Sequence, residues 1–344
     1  MSSDAIYRPL GQSGLRVPSL WLGTMMFGGP TDEAEAREIV AAAQDAGLNA
    51  IDTADNYCGG ESERAVGRLI ASNRSRWVVA TKVANPVGNE PNDRGLSRRW
   101  LMQAVDHSLG RLRSEWIDLY YMHRDDEVTP VEEIVGTMAR LIELGKIRYY
   151  GVSNFRAWRV AQLVETARRM GVPQPIACQP PYSAVNRQIE TELLPACQHY
   201  GVGVIAYSPL ARGVLSGKYR PNEAPDPASR AGRGDKRLLQ TEFQPRALTL
   251  SQEFKEFASQ RGLSPVSFAM AWVLNNRHVN GVIGGPRTLA QWKEYIAALS
   301  VRLTPSDEAF VERCVPAGYA ATYGYTDPQY PLDGRAPRNH EDTK

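Results

Sequence analysis

Trp116-Ile-Asp-Leu-Tyr-Tyr-Met122, followed by Thr129-Pro-Val-Glu132 and then by Ile147-Arg-Tyr-Tyr-Gly-Val152, reads as strand, helix, strand. The outer runs are short, apolar and rich in aromatic and β-branched residues, as a buried strand requires. Between them, Thr129 is placed to cap a helix, Pro130 to occupy its first position and Glu132 to reach back to the cap. Val131, Ile134, Val135, Met138, Leu141 and Ile142 then form one apolar stripe, and Gly145 can end the helix.

Working outward, the same rhythm recurs along the chain. Strand-like runs fall at 19–22, 49–52, 77–83, 116–122, 147–152, 176–179, 202–207 and 279–283. Leu101, Val105, Leu109 and Leu112 make a stripe between two of them. Thr288 and Gln291 repeat the capping pattern ahead of Leu289, Trp292, Ile296 and Leu299. Eight strands each followed by a helix predict an α/β fold of the closed (β/α)8 type, a TIM barrel, rather than a doubly wound open sheet. No GxGxxG follows the first strand, and the glycines of 24–30 have the wrong spacing with no Walker-type lysine after them. Residues 7–11 and 14–18 flank a turn, which predicts a hairpin closing the bottom of the barrel. The longest connection, 207–250, carries Pro221, Pro225, Pro227, Gly232 and Gly234; following the seventh strand, it is expected on the active face, and long loops without structure of their own are lids or mobile segments. One domain spans 1–344, with the barrel at about 19–303. The tail, 316–344, either folds over the same face or frays.

Length and composition agree with one soluble enzyme-sized unit. The chain has 344 residues, 42% hydrophobic and 23% charged, with a formal net charge of +2. That charge, without any dense Lys/Arg run, argues against nucleic acid or an anionic membrane as partner. The N-terminus lacks a basic region followed by an apolar stretch, and no window approaches the roughly 18 apolar residues a spanning helix needs. A cytoplasmic location is the default expectation. Cys58, Cys178, Cys197 and Cys314 are scattered without metal spacing, as in a reducing compartment. No His, Asp or Glu pattern suggests a metal, and no GxSxG a serine hydrolase.

Chemistry concentrates at strand ends. Asp52-Thr-Ala-Asp-Asn-Tyr57, Ala80-Thr-Lys82 and Asp118-Leu-Tyr-Tyr-Met-His123 each close a predicted strand, and in such a barrel those ends converge on one face. Tyr57 can give a proton to a carbonyl oxygen that is gaining negative charge. Its ordinary pKa of about 10 is high for that task, so the Lys82 ammonium is expected to pull it down while Asp52 keeps the lysine charged and aimed. A neutral His123 can hydrogen-bond the same oxygen and orient the substrate.

These segments, with Gly151-Val-Ser-Asn154, Gln179 and Tyr207-Ser-Pro-Leu210 in order, resemble the aldo-keto reductase family. The likeness runs from about Tyr7 to about Leu303. Tyr7-Arg-Pro-Leu-Gly11, Gly95-Leu-Ser-Arg98, and 208–213 through 216–219 are similar to the branch that includes voltage-gated potassium channel β subunits and their bacterial relatives. The resemblance implies reduction of an aldehyde or ketone, with a nicotinamide cofactor extended across the barrel top. It implies that Ser153, Asn154 and Gln179 hold the carboxamide, that Tyr207 stacks on the nicotinamide, and that Gly23, Thr24, Met25 and Asp52 lie beside it. Ser208, Pro209, Leu210, Arg212, Gly213 and Lys218 would contact the pyrophosphate, with Arg230 closing over it. Gly285, Pro286, Arg287, Gln291, Glu294 and Tyr295 match the adenosine segment. Arg287, near the start of a capped helix, suits a 2′-phosphate, which predicts NADPH over NADH. Many family members carry asparagine where Tyr295 stands and tryptophan where Met25 stands. Channel β subunits typically have asparagine at the place of His123, so the histidine here favours an active reductase. Met26, Phe27, Tyr57, Cys58, His123 and Arg124 are the expected pocket wall for a small-molecule carbonyl substrate.

Two other readings stand beside this one. A regulatory subunit would keep the cofactor residues while tolerating a crippled tetrad. A sugar-phosphate lyase or isomerase would need a substrate phosphate site at strands seven and eight. The branch includes oligomers, which leaves a homo-oligomer open.

Overall fold

In the computed structural model, which describes residues 7–322 and 327–330, eight parallel strands close into a barrel. The chain enters through an antiparallel hairpin of β1 (Tyr7–Pro9) and β2 (Arg16–Pro18), with Tyr7 opposite Pro18. The barrel strands are β3 (Leu20–Gly23), β4 (Ala50–Asp52), β5 (Val78–Val83), β6 (Ile117–Met122), β7 (Ile147–Ser153), β8 (Ala177–Gln179), β9 (Gly203–Ala206) and β10 (Gly281–Gly284). β10 closes the ring on β3, with Val282 opposite Leu20 and Gly284 opposite Leu22. All eight expected strands are present, each shifted by a residue or two at its ends.

Helices α1 (Glu33–Asp45), α2 (Glu61–Leu69), α3 (Arg98–Leu112), α4 (Val131–Glu143), α5 (Ala157–Met170) and α6 (Leu193–Tyr200) follow β3 to β8 in turn. After β9 come α7 (Lys236–Gln240), α8 (Pro245–Gln260) and α9 (Pro265–Asn275); α10 (Leu289–Ala297) and α11 (Pro305–Cys314) follow β10. The 207–250 connection is therefore not structureless, since α7 and the first turn of α8 lie within it. Among the described residues no helix is long and apolar enough to cross a membrane.

Two capping expectations need correction. α4 starts one residue later than expected, with Pro130 at its cap and no side-chain cap bond. The Thr129 hydroxyl is drawn away by Asp126, to which it donates at 2.5 Å while Asp126 also accepts the Thr129 and Leu96 amides. At α10, Thr288 caps the Gln291 amide, but the Gln291 side chain accepts from the Arg287 amide rather than returning to the cap. A complete capping box forms instead at Thr304 and Asp307, ahead of α11.

Strand alternation sorts the core into two bodies. Leu10, Val17, Trp21, Ala50, Val78, Ala80, Leu119, Tyr121, Ala177, Ile205 and Ile283 fill the barrel, with Leu10 and Val17 brought in by the hairpin end of the chain. Ile51, Val79, Tyr120, Tyr150, Val152, Cys178 and Val204 face outward and meet the helices. Gly151 is a packing requirement of this interior, because a Cβ there would lie 2.7 Å from the Tyr121 ring and 2.6 Å from the Ala177 carbonyl oxygen.

Candidate active site

The interior phase of the strands decides which side chains reach the site. On β4 it runs Ala50, Asp52; on β5 Val78, Ala80, Lys82; beyond β6 Leu119, Tyr121, His123. On β7 it gives Ser153, on β8 Gln179, and past β9 Tyr207. Each chemistry-bearing residue is thus the last member of an inward-facing series whose earlier members are core.

Lys82 is completely buried. A buried ammonium is tolerable only when its donors are satisfied and its charge is matched. Its three hydrogens have three acceptors: Asp52 Oδ1, with which it forms an ion pair, the Thr53 carbonyl at 2.7 Å and Tyr57 Oη at 3.3 Å. Burial alone would depress this ammonium, but Asp52, Tyr57 and the hydrogen bonds to both raise its pKa, so Lys82 stays charged. Asp52 Oδ2 accepts the Gln179 amide at 2.8 Å, which fixes the carboxylate from its other side.

Tyr57 arrives from the turn after β4. Its ring stands edge-on to His123, centroids 5.8 Å apart, and Lys82 Nζ lies 4.8 Å from its centroid. Cys58, Gly59 and Gly60 follow with φ of 48°, 65° and 91°, three left-handed residues that turn the chain sharply into α2. The expected lowering of the phenol does not hold. Burial raises its pKa, and Lys82 offsets that only in part while Asp52 adds to it. Tyr57 therefore keeps its proton, and because Lys82 donates to Oη, that proton is free to point elsewhere.

His123 is buried and held well below its usual pKa by burial and by the positive charges of Lys82, Arg237 and Arg124. It is neutral at physiological pH. Asn85 Nδ2 lies 3.0 Å from His123 Nδ1; with the amide as donor, the ring proton sits on Nε2. Asn154 Nδ2 donates to the His123 carbonyl at 2.9 Å and to Ser153 Oγ at 3.0 Å, and Tyr207 Oη donates to Asn154 Oδ1 at 2.7 Å.

One cleft at the carboxyl ends of the strands brings most of the expected residues together. It is lined by Gly23, Thr24, Met25, Met26, Asp52, Tyr57, His123, Ser153, Asn154, Gln179 and Tyr207 at one end. Ser208 to Leu210, Arg212, Gly213, Lys218, Arg230, Gly285, Arg287, Gln291 and Tyr295 continue it. Phe27 is not in the wall: it is fully buried in the core between strands and helices. Cys58, Arg124, Pro286 and Glu294 are not among the lining residues either. The Cys58 thiol donates to the Met25 carbonyl at 3.4 Å, and Arg124 sits over the Tyr330 ring at 5.8 Å. Pro286 is buried, and the Glu294 backbone carbonyl accepts from Ser267.

Several lining residues had no legible signal. Arg237 and Tyr330 lie far along the chain in a long connection and in the tail, and Ser229 and Arg233 in the same connection. Asn85 was hidden because Ala84, with φ of 109°, breaks the strand alternation just before it. Of the tail, Tyr319 and Ala321 tie back to Arg187 and Val185, and 327–330 lies against the cleft. Residues 323–326 and 331–344 lie outside the described residues.

The family model for the aldo/keto reductase family matches residues 19–316. A probable voltage-gated potassium channel subunit beta of Oryza sativa subsp. japonica is 36% identical over 326 residues, 93% of this chain and 99% of the relative. An uncharacterized oxidoreductase of Bacillus subtilis is 36% identical, covering 86% of this chain and 92% of its own. An L-glyceraldehyde 3-phosphate reductase of Escherichia coli K12 is 35% identical over 86% of this chain and 87% of its own.

Behind the tetrad lies a second buried charge cluster. Glu63, fully buried, accepts from Thr81 at 2.5 Å and from Arg111 at 2.6 Å. Asp55, its neighbour, has no hydrogen-bond partner on either carboxyl oxygen. Burial and Glu63 hold its pKa well above the carboxylate range. The stability tied to this neutral carboxyl is fully present below the unfolded value near pH 4 and is lost as pH rises toward the folded one. Asp55→Asn removes that loss. Its unfolding free energy, measured by urea denaturation against wild type, should gain on the order of 1 kcal/mol per pH unit on raising pH above about 4. Parallel pH profiles for the two proteins would contradict the assignment.

Proposed function

The chain belongs to the aldo/keto reductase family, an oxidoreductase family, and from that premise we propose that it reduces an aldehyde or ketone to an alcohol with NADPH, Tyr57 giving the proton. The observation that carries this reading is the direction of one hydrogen bond: Lys82 donates to Tyr57 Oη, leaving the phenolic proton available to a carbonyl oxygen in the cleft.

A reduced nicotinamide held by Ser153, Asn154, Gln179 and Tyr207 would supply the hydride for a carbonyl carbon. As the carbonyl oxygen becomes negative, Tyr57 donates its proton, and the Lys82 ammonium 3.3 Å away stabilises the phenolate that remains. Asp52 keeps Lys82 charged and in place. Neutral His123 offers its Nε2 proton to the same oxygen and positions it without competing as an acid.

The cleft suits an extended dinucleotide. Ser153, Asn154, Gln179 and Tyr207 hold the nicotinamide end in this reading. Ala211, Arg212 and Gly213 have φ of 47°, 54° and 95°, a left-handed run of the kind that makes anion-binding concavities. Buried Arg212 Nε, which has no partner, is an unspent donor there. Lys218 and Arg230 add positive charge for the diphosphate, and Arg287 beside the start of α10 suits a 2′-phosphate. A cytoplasmic setting fits the free thiols of Cys58, Cys178, Cys197 and Cys314.

The names of the channel-subunit relatives favour a second reading, a cofactor-binding regulatory subunit with little turnover. The assembled Asp52, Lys82, Tyr57 and His123 weigh against it.

NADPH absorbance should fall steadily with a panel of aldehydes and ketones. Tyr57→Phe should lower kcat by about a hundredfold or more while NADPH still binds; turnover within a few-fold of wild type would contradict the proton-donor role. Arg287→Ala should weaken NADPH by about tenfold and NADH by less than about twofold. Equal losses for the two cofactors, read by fluorescence titration, would remove the 2′-phosphate assignment.

A further inference from the structure

One residue past the end of β5, Ala84 holds a φ of 109°, a conformation costly for any residue with a Cβ. Regular alternation after Lys82 would put Ala84 inward and Asn85 out among the helices. The positive φ reverses that order: Ala84 packs in the helix-side core, and Asn85 Nδ2 comes to 3.0 Å from His123 Nδ1. The turn is fastened to the segment that carries the imidazole. Gly95 donates its amide to the Ala84 carbonyl at 2.9 Å, the Leu96 amide goes to Asp126 at 2.8 Å, and the His123 amide goes to the Val83 carbonyl at 2.8 Å.

We propose that Asn85 is a positioning residue of the reaction, holding His123 in the tautomer whose proton is on Nε2, and that the backbone at Ala84 is bent to deliver it. The proposal deepens the carbonyl-reductase reading and rests on it. A side-chain amide nitrogen only donates, so Nδ1 opposite it must present its lone pair and Nε2 must carry the proton. A carboxylate in that place, the partner that orients imidazoles working as bases, would demand the reverse. The residue type at 85 therefore decides whether His123 gives a hydrogen bond to a carbonyl oxygen or takes a proton. The ring's charged neighbours are the cations of Lys82, Arg237 and Arg124, and the Tyr57 phenol stands edge-on to it. The acids of the surrounding segments are engaged elsewhere: Asp52 with Lys82 and Gln179, Asp125 with Arg159, Asp126 with the Leu96 and Thr129 amides, and Asp327 with Arg212 and Arg237. Among the described residues, the tautomer thus rests on Asn85.

Nitrogen-15 NMR of protein labelled at histidine reads the tautomer directly, with the His123 signals identified by their loss in H123N. In wild type Nε2 should carry the proton and Nδ1 should not, with no titration between about pH 6 and about pH 8. N85A should leave both tautomers populated and lower kcat for an aldehyde by about tenfold with an unaltered pH profile, while NADPH affinity stays within about twofold. N85D should move the proton to Nδ1 and raise the His123 pKa, because a carboxylate favours the imidazolium. Its kcat should then be highest at low pH, where the imidazolium still donates from Nε2, and fall as pH rises through the new value. A proton on Nδ1 in wild type overturns the proposal, as does an N85A protein with the wild-type tautomer and kcat, or an N85D profile parallel to that of wild type. The wild-type spectrum requires no variant and no substrate, so if no carbonyl compound is reduced the reductase reading fails by itself while the spectrum still decides what Asn85 does.

Discussion

The buried ammonium of Lys82 is the constraint around which the site is arranged. No water reaches it, so its three hydrogens must be met by protein atoms and its charge by a carboxylate. Asp52, the Thr53 carbonyl and Tyr57 meet that demand, and in doing so they fix the end of β4 and the turn after it. The geometry needed for proton transfer is thus the geometry needed to bury a lysine inside a barrel.

Electrostatics divides the cleft. Burial, with the charges of Lys82, Arg237 and Arg124, keeps His123 neutral, and burial keeps the phenol of Tyr57 protonated. A neutral imidazole and a protonated phenol are both hydrogen-bond donors to one acceptor, which suits a carbonyl oxygen and not a cation. Farther out, the cleft wall is basic, with Lys218, Arg212, Arg230, Arg237 and Arg287 along it, and that suits a ligand bearing phosphates.

Much of this is legible in the sequence, because strand alternation and core packing obey the same period of two. Asp52, Lys82, Ser153 and Gln179 continue inward-facing series begun by apolar residues, so short motifs identified both the strands and the site. What stayed illegible depends on the irregular backbone. Phe27 looked like pocket wall because it follows β3, but the turn there sends it into the core. Asn85 is masked by the positive φ of Ala84, and Arg237, on the short helix α7, and Tyr330, in the tail, reach the cleft on paths that no strand periodicity encodes. The rise in the Tyr57 pKa was missed because a charge partner can be read from sequence motifs while the depth of burial cannot.

A carbonyl reductase must deliver hydride to a carbonyl carbon beside the Tyr57 hydroxyl. NADPH carrying deuterium at both C4 positions of the nicotinamide, turned over with an aldehyde that the protein consumes, tests this directly by NMR of the alcohol. One deuterium on the carbinol carbon of every product molecule is the predicted result. Alcohol formed without that label, or NADPH consumed with no alcohol at all, would contradict it.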